Sequence, residues 1–207
     1  MRVVSPETLR DITLGQYQEF DLVDVKNTSE EDLKTHALRI FLNLSDNEIR
    51  RMSQNDKDDL VNDITKALNE SPKFDVNKTP TFKIKGTRFG WHNNLNEMSS
   101  GEWSNLSTYI SEVEFYHNLM AILFRPVTKK DMFGNYSIAA YNGTEEWGEV
   151  MKQTPMHIVQ SSLFFFKSLA RELLVCTQRC STPQELVKGQ KHQIFGLGGG
   201  GMQVTGS

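Results

Sequence analysis

Apolar residues recur at three- and four-residue steps through residues 11–71, the period of helices with one buried face. A Ser or Thr hydroxyl precedes most of these runs. Thr13-Leu14-Gly15-Gln16 reads as a capping box, in which the hydroxyl and a Gln three residues on satisfy each other's backbone donors; Tyr17, Phe20 and Leu22 then start an apolar face. Ser29 opens a second helix, with Leu33, Ala37, Ile40, Phe41 and Leu44 in phase. Ser45-Asp46-Asn47-Glu48 is a further box before a short helix through Met52. Asn55 begins a fourth helix, with Leu60, Val61, Ile64, Ala67 and Leu68 on one face, and Pro72 follows where helices stop.

The period then changes to two. Thr81-Phe82-Lys83-Ile84-Lys85 alternates, Gly86-Thr87 turns and Arg88-Phe89-Gly90-Trp91 resumes, which predicts a β-hairpin over 81–92. Ser99-Ser100-Gly101-Glu102 is another capping box. It opens a long helical pattern from Trp103 to Phe124, with Leu106, Ile110, Val113, Tyr116, Leu119, Met120 and Leu123 in phase, and Arg125-Pro126 stops it. A polar stretch follows, with a short strand at Tyr136-Ser137-Ile138 and a turn at Asn142-Gly143. Thr154-Pro155 places a cap before a proline at the first position of a helix running to about Gln178. Thr182-Pro183-Gln184-Glu185 repeats that arrangement near Leu186.

The expected fold class is therefore mainly α with a small β-hairpin element, its core formed by helices at 99–124 and 155–178. The expected division is an N-terminal helical subdomain over 1–72, a hairpin and long-helix core over 73–193, and a Gly-rich C-terminal arm over 194–207. The polar, proline-containing stretch 71–80 reads as the linker. Ile12-Thr13-Leu14-Gly15-Gln16-Tyr17 and Met98-Ser99-Ser100-Gly101-Glu102-Trp103 share one pattern of apolar residue, hydroxyl, glycine, Gln or Glu, and aromatic. Two independent helix starts or a duplicated unit both account for it.

Composition narrows the classes. At 207 residues with 38% hydrophobic content the chain can bury a real core. A net charge of −3 gives no basic field for nucleic acid. No apolar stretch has the length of a membrane span, and Met1-Arg2-Val3-Val4-Ser5-Pro6 lacks the apolar region of a signal peptide. The two cysteines, Cys176 and Cys180, are too few for a disulfide scaffold.

Candidate chemistry is sparse. The five histidines show no helical metal-pair spacing and none adjoins a cysteine. Cys176 and Cys180 share a helix face; buried thiols account for them better than half of a zinc site. Asp56, Asp58, Asp59 and Asp63 read as a solvated helix face, with a small metal-dependent hydrolase or nuclease as the alternative. Gly198 to Gly201 lacks the strand and the Lys-Ser/Thr of a phosphate loop. No catalytic, cofactor-binding or metal-binding residue is expected, and the chain is read as no enzyme.

The segment from Val159 to Cys176 is apolar nearly all round, so it is a central core helix or part of a subunit interface. Phe164, Phe165 and Phe166, with Trp91 and Trp103 in polar contexts, are the candidate interface residues there, and Trp147 belongs with them as an exposed aromatic. The Gly-rich end has too few apolar side chains to offset the entropy of ordering it alone, which predicts an arm that orders on assembly with Phe195 and Leu197 as anchors.

Several short motifs occur in order: Ile12-Thr13-Leu14-Gly15-Gln16-Tyr17-Gln18, Lys85-Gly86-Thr87-Arg88-Phe89-Gly90, Asn94-Leu95-Asn96-Glu97-Met98 leading into Gly101-Glu102-Trp103, Met120-Ala121-Ile122-Leu123-Phe124-Arg125-Pro126-Val127, Tyr136-Ser137-Ile138 with Tyr141-Asn142-Gly143, and Phe164-Phe165-Phe166. This order resembles small proteins of the tail and neck gene clusters of tailed bacteriophages, over residues 11–175. The resemblance implies a non-enzymatic virion or morphogenesis protein of the neck, tail or baseplate, or else a tail assembly chaperone for the tape-measure protein. It implies other phage structural proteins as partners, a homo-oligomer or multi-copy ring, synthesis in the host cytoplasm and residence in the virion. Nucleic acid and membrane are not expected partners. No catalytic residues carry over.

Overall fold

The structure is a computed structural model describing residues 3–71, 81–92 and 94–166. Four helices come first: α1 (Leu14–Asp21), α2 (Glu30–Leu42), α3 (Asp46–Arg51) and α4 (Gln54–Leu68). Each begins where a side chain takes a backbone N–H. Thr13 and Ser45 form capping boxes with Gln16 and Glu48, and Ser29 and Ser53 accept from Asp32 and Asp56 N–H. The fourth helix thus starts one residue earlier than expected, at Gln54, because Ser53 is its cap. Leu38, Phe41, Leu44, Ile49, Ile64 and Ala67 are buried on the inner faces.

The expected fold class is overturned at the sheet. Among the described residues 52% are helical and 14% lie in strands, and the strands form one four-stranded antiparallel sheet, a mixed α+β arrangement. Strands β1 (Thr81–Ile84), β2 (Thr87–Trp91), β3 (Phe124–Lys130) and β4 (Tyr136–Ile138) pair in chain order. The hairpin turn is Lys85-Gly86, not Gly86-Thr87. Ile84 pairs with Thr87, and both turn residues have positive φ, 47° and 84°, the requirement of a tight two-residue turn matched to strand twist.

The continuous helix expected from Trp103 to Phe124 is interrupted over residues 110–115. α5 (Ser100–Tyr109) ends among Ser104, Asn105, Ser107 and Thr108, weak helix formers. Ser107 and Thr108 hydroxyls bond back to the Trp103 and Ser104 carbonyls. Glu112 is extended, a 3-10 turn follows over Val113–Phe115, and α6 (Tyr116–Leu123) resumes. The Gln18 side-chain amide of α1 donates to the Val113 and Glu114 carbonyls at 2.7 and 2.8 Å, tying this turn to α1.

At Phe124 the backbone becomes extended, and the chain runs directly into β3. Trp91 pairs with Phe124, Gly90 with Arg125 and Phe89 with Pro126. Pro126 lacks an N–H and so reads as a helix stop, yet its carbonyl accepts the Ala139 N–H at 2.8 Å and the strand continues past it. Gly90 admits the Tyr136 ring from β4: a Cβ at Gly90 would lie 2.5 Å from a ring carbon.

A short helix, α7 (Gly148–Met151), which the hydrophobic pattern does not signal, packs against α6. Helical residues then run from 156 to 166. The Pro155 carbonyl accepts the Ile158 N–H, so proline takes the capping place expected of Thr154. Thr13 and Pro155 form an antiparallel bridge, and Leu14 and Gly15 N–H groups donate to the Thr154 and Lys152 carbonyls. Backbone contacts group the described residues up to Leu163 as one compact unit, with Phe164–Phe166 outside it. The division expected at 72–73 falls outside the described residues, and the helices before it share one unit with the sheet after it. The expected helix from 167 to 178, the short helix near Leu186 and the C-terminal arm also lie outside the described residues.

Candidate functional site

The most exposed apolar side chains stand at the end of a projecting arm. β3 and β4 pair as far as Lys130 and Tyr136, and residues 128–135 are all exposed. Asp131 organises the tip. Its Oδ1 accepts the N–H groups of Phe133 and Asn135 at 2.9 and 2.8 Å, and its Oδ2 accepts the Asn135 side-chain amide at 2.6 Å. The Asp131 N–H donates to the Asn135 carbonyl at 2.9 Å, and Gly134 takes the left-handed conformation, with φ 94°. These hydrogen bonds, that of the Asn135 side chain foremost, hold the Asp131 carboxyl below the usual carboxylate range. On this loop Met132 and Phe133 are 98% and 91% exposed, and Lys129 and Lys130 stand directly behind them.

A buried polar cluster sits at the base of the arm. Glu102 comes from the first turn of α5, Arg125 from β3, and His92 follows β2; all three are buried. The Arg125 guanidinium lies 3.0 Å from Glu102 Oε1, and His92 Nε2 lies 4.0 Å from the same oxygen. Glu102 Oε2 accepts the Ser99 N–H at 2.6 Å, closing the capping box of α5. One carboxylate thus caps a helix and neutralises a cation of the sheet. Arg125 Nε and His92 Nδ1 have no hydrogen-bond partner among the described residues. Burial, then the Arg125 charge, pushes the His92 imidazole below its ordinary value, so it is neutral at pH 7. A cavity of about 310 Å³ opens beside the cluster, lined also by Tyr136, whose hydroxyl donates to the Trp91 carbonyl at 2.8 Å. Glu102, Arg125 and Tyr136 thereby fix the strand pair from which the arm projects.

The N-terminal helices carry a groove of about 590 Å³ between α3 and α4. Val3, Leu44, Met52 and Leu60 supply its apolar surface, and Glu48, Asp56, Asp59 and Arg51 its charged rim. Three of the four acids considered as a hydrolase site, Asp56, Asp58 and Asp63, are engaged separately. The Asp56 carboxylate accepts the Ser53 hydroxyl, Asp58 pairs with Lys34 at 2.9 Å, and Asp63 accepts the Ser5 hydroxyl at 3.0 Å. Among the described residues no group of three His, Cys, Asp or Glu side chains could hold a metal ion, and no helix is long and apolar enough to cross a membrane.

The candidate interface residues differ in exposure. Trp91, expected to be exposed, is buried with its ring centroid 5.0 Å from that of Phe124, because the strand pairing turns it into the core. Trp147 is half-buried and meets Phe89 edge to face at 5.4 Å. Trp103 is partly exposed on α5. Phe164 is exposed, Phe165 partly so and Phe166 buried. Phe195 and Leu197 lie outside the described residues. Met132 and Phe133 escaped the sequence reading, although an apolar pair between Asp131 and Gly134-Asn135 was a signal for a displayed turn. Comparison with protein-family models, curated proteins and solved structures yields no match.

Proposed function

We propose that this chain is a non-enzymatic assembly protein of a tailed bacteriophage, acting at the neck, tail or baseplate by binding other protein subunits. The observation that carries the reading is the Met132–Phe133 pair, held clear of the molecule on a loop tied by Asp131. Apolar side chains so displayed are a liability in an isolated protein and an anchor in an assembled one. Burying them fully on a partner is worth about 1.5–3 kcal/mol each. The loop's hydrogen bonds lower the entropic cost of docking, since its backbone is already ordered. The resemblance of the motif order to tail and neck proteins supplies the biological setting.

The test is assembly of virions carrying Met132→Ser with Phe133→Ser. Particle yield should fall while the purified variant keeps its thermal midpoint, because both side chains contact mainly solvent. Normal yield from the variant would refute the reading. Mass spectrometry of purified virions separates a resident subunit, whose peptides are abundant, from a tail assembly chaperone, whose peptides are absent.

A further inference from the structure

We infer that the tip of the β3–β4 arm docks into the α3–α4 groove of a second copy of this chain, so that copies associate head to tail. The inference rests on the assembly reading and supplies its partner. Two surfaces of one molecule match in chemistry. The tip is a small apolar plug, Met132 and Phe133, that follows the Asp131 carboxylate, with Lys129 and Lys130 before it on β3. The groove has an apolar floor of Val3, Leu44, Met52 and Leu60, and among the described residues that line it three carboxylates, Glu48, Asp56 and Asp59, face one cation, Arg51. Its volume, about 590 Å³, lies within the roughly 300–1,000 Å³ of sites that enclose an apolar ligand.

The charge division runs beyond these few residues. Strands β1 to β4 and the two turns that join β1 to β2 and β3 to β4 carry Lys83, Lys85, Arg88, Arg125, Lys129 and Lys130 against one carboxylate, Asp131. Helices α3 and α4 carry Asp46, Glu48, Asp56, Asp58, Asp59 and Asp63 against Arg50, Arg51, Lys57 and Lys66. A cationic stem behind an apolar plug therefore meets an acidic rim around an apolar floor, which favours encounter and fixes orientation. In the structure the tip is exposed and does not fill the groove of its own chain. Because plug and socket are different patches, the contact is heterologous, and repeated copies close into a ring or extend as a filament.

Sedimentation velocity on the full chain tests this. Wild type should associate in a concentration-dependent way, less so as added salt shortens the screening length from about 30 Å at 0.01 M to about 3 Å at 1 M. A plug-less chain, Met132→Ser with Phe133→Ser, and a socket-reversed chain, Asp56→Lys with Asp59→Lys, should each be monomeric. Mixed together, they should form a one-to-one dimer that grows no further, because each retains the half the other lacks. That complementation also shows that both variants are folded. A mixture that stays monomeric, or a socket-reversed chain that associates like wild type, overturns the inference. If the plug-less chain nevertheless lowers virion yield, the tip docks on a different subunit and only the self-docking falls. If virion yield is also normal, the assembly reading falls with it.

Discussion

The four N-terminal helices and the four-stranded sheet meet the same requirement, a partner for every backbone polar group, at different ranges. In α1 to α4 the caps come from residues three positions away: Thr13 with Gln16, Ser29 with Asp32, Ser45 with Glu48, Ser53 with Asp56. In the sheet the partners are far apart in the chain. Gly90 pairs with Arg125, the Tyr136 hydroxyl reaches the Trp91 carbonyl, and Arg125 is neutralised by Glu102 on a helix inserted between the paired strands. Local partners give elements that survive small changes elsewhere. Distant partners make one cooperative structure, in which removing a buried charge leaves its counterpart stranded.

The largest effect should follow from Arg125→Ala, which leaves the Glu102 carboxylate buried beside α5 without its cation. A cost of about 3–5 kcal/mol is expected from chemical denaturation. Glu102→Leu with Arg125→Met, which removes both charges, should cost less. A loss for Arg125→Ala below about 1 kcal/mol would mean that the pair behaves as an exposed one and that the sheet does not depend on it.

A local partner should give a smaller, local response. Ser53→Ala removes the acceptor of the Asp56 N–H and should cost about 1 kcal/mol. Hydrogen exchange should quicken in the first turn of α4 and stay unchanged in β2 and β3. Exchange that quickens throughout the sheet would erase the contrast between the two regions.

The smallest effect is graded in pH. His92, His117 and His157 all have imidazoles pushed below the ordinary value, by burial first and then by Arg125, Lys152 and Arg10 respectively. All three lie outside the four N-terminal helices. With a lowered folded value the unfolded chain binds protons first. Their contribution is therefore complete above the unfolded value of about 6.5 and is lost as pH falls through the folded values. Thermal midpoints should fall on acidification from pH 7 to pH 5, and His92→Gln should flatten that slope. An unchanged slope would show that His92 takes up its proton equally well in both states.

The sequence by itself determined most of the helix starts. A hydroxyl, a Gln or Glu three residues on and an apolar face are all local, and Thr13, Ser45 and Ser99 each cap the helix that the pattern predicts. The strands at 81–91 and 136–138 were legible for the same reason, as short alternating runs beside turn residues. Tertiary structure alone decided that Phe124 to Lys130 is a strand. Its first residues continue a helical apolar period and its proline signals a stop, and only pairing with β2 and β4 overrides both. It likewise decided that Trp91 is core and that Glu102 serves an ion pair besides its cap. Burial and charge pairing depend on which distant segment arrives opposite a residue, and a one-dimensional period carries no record of that.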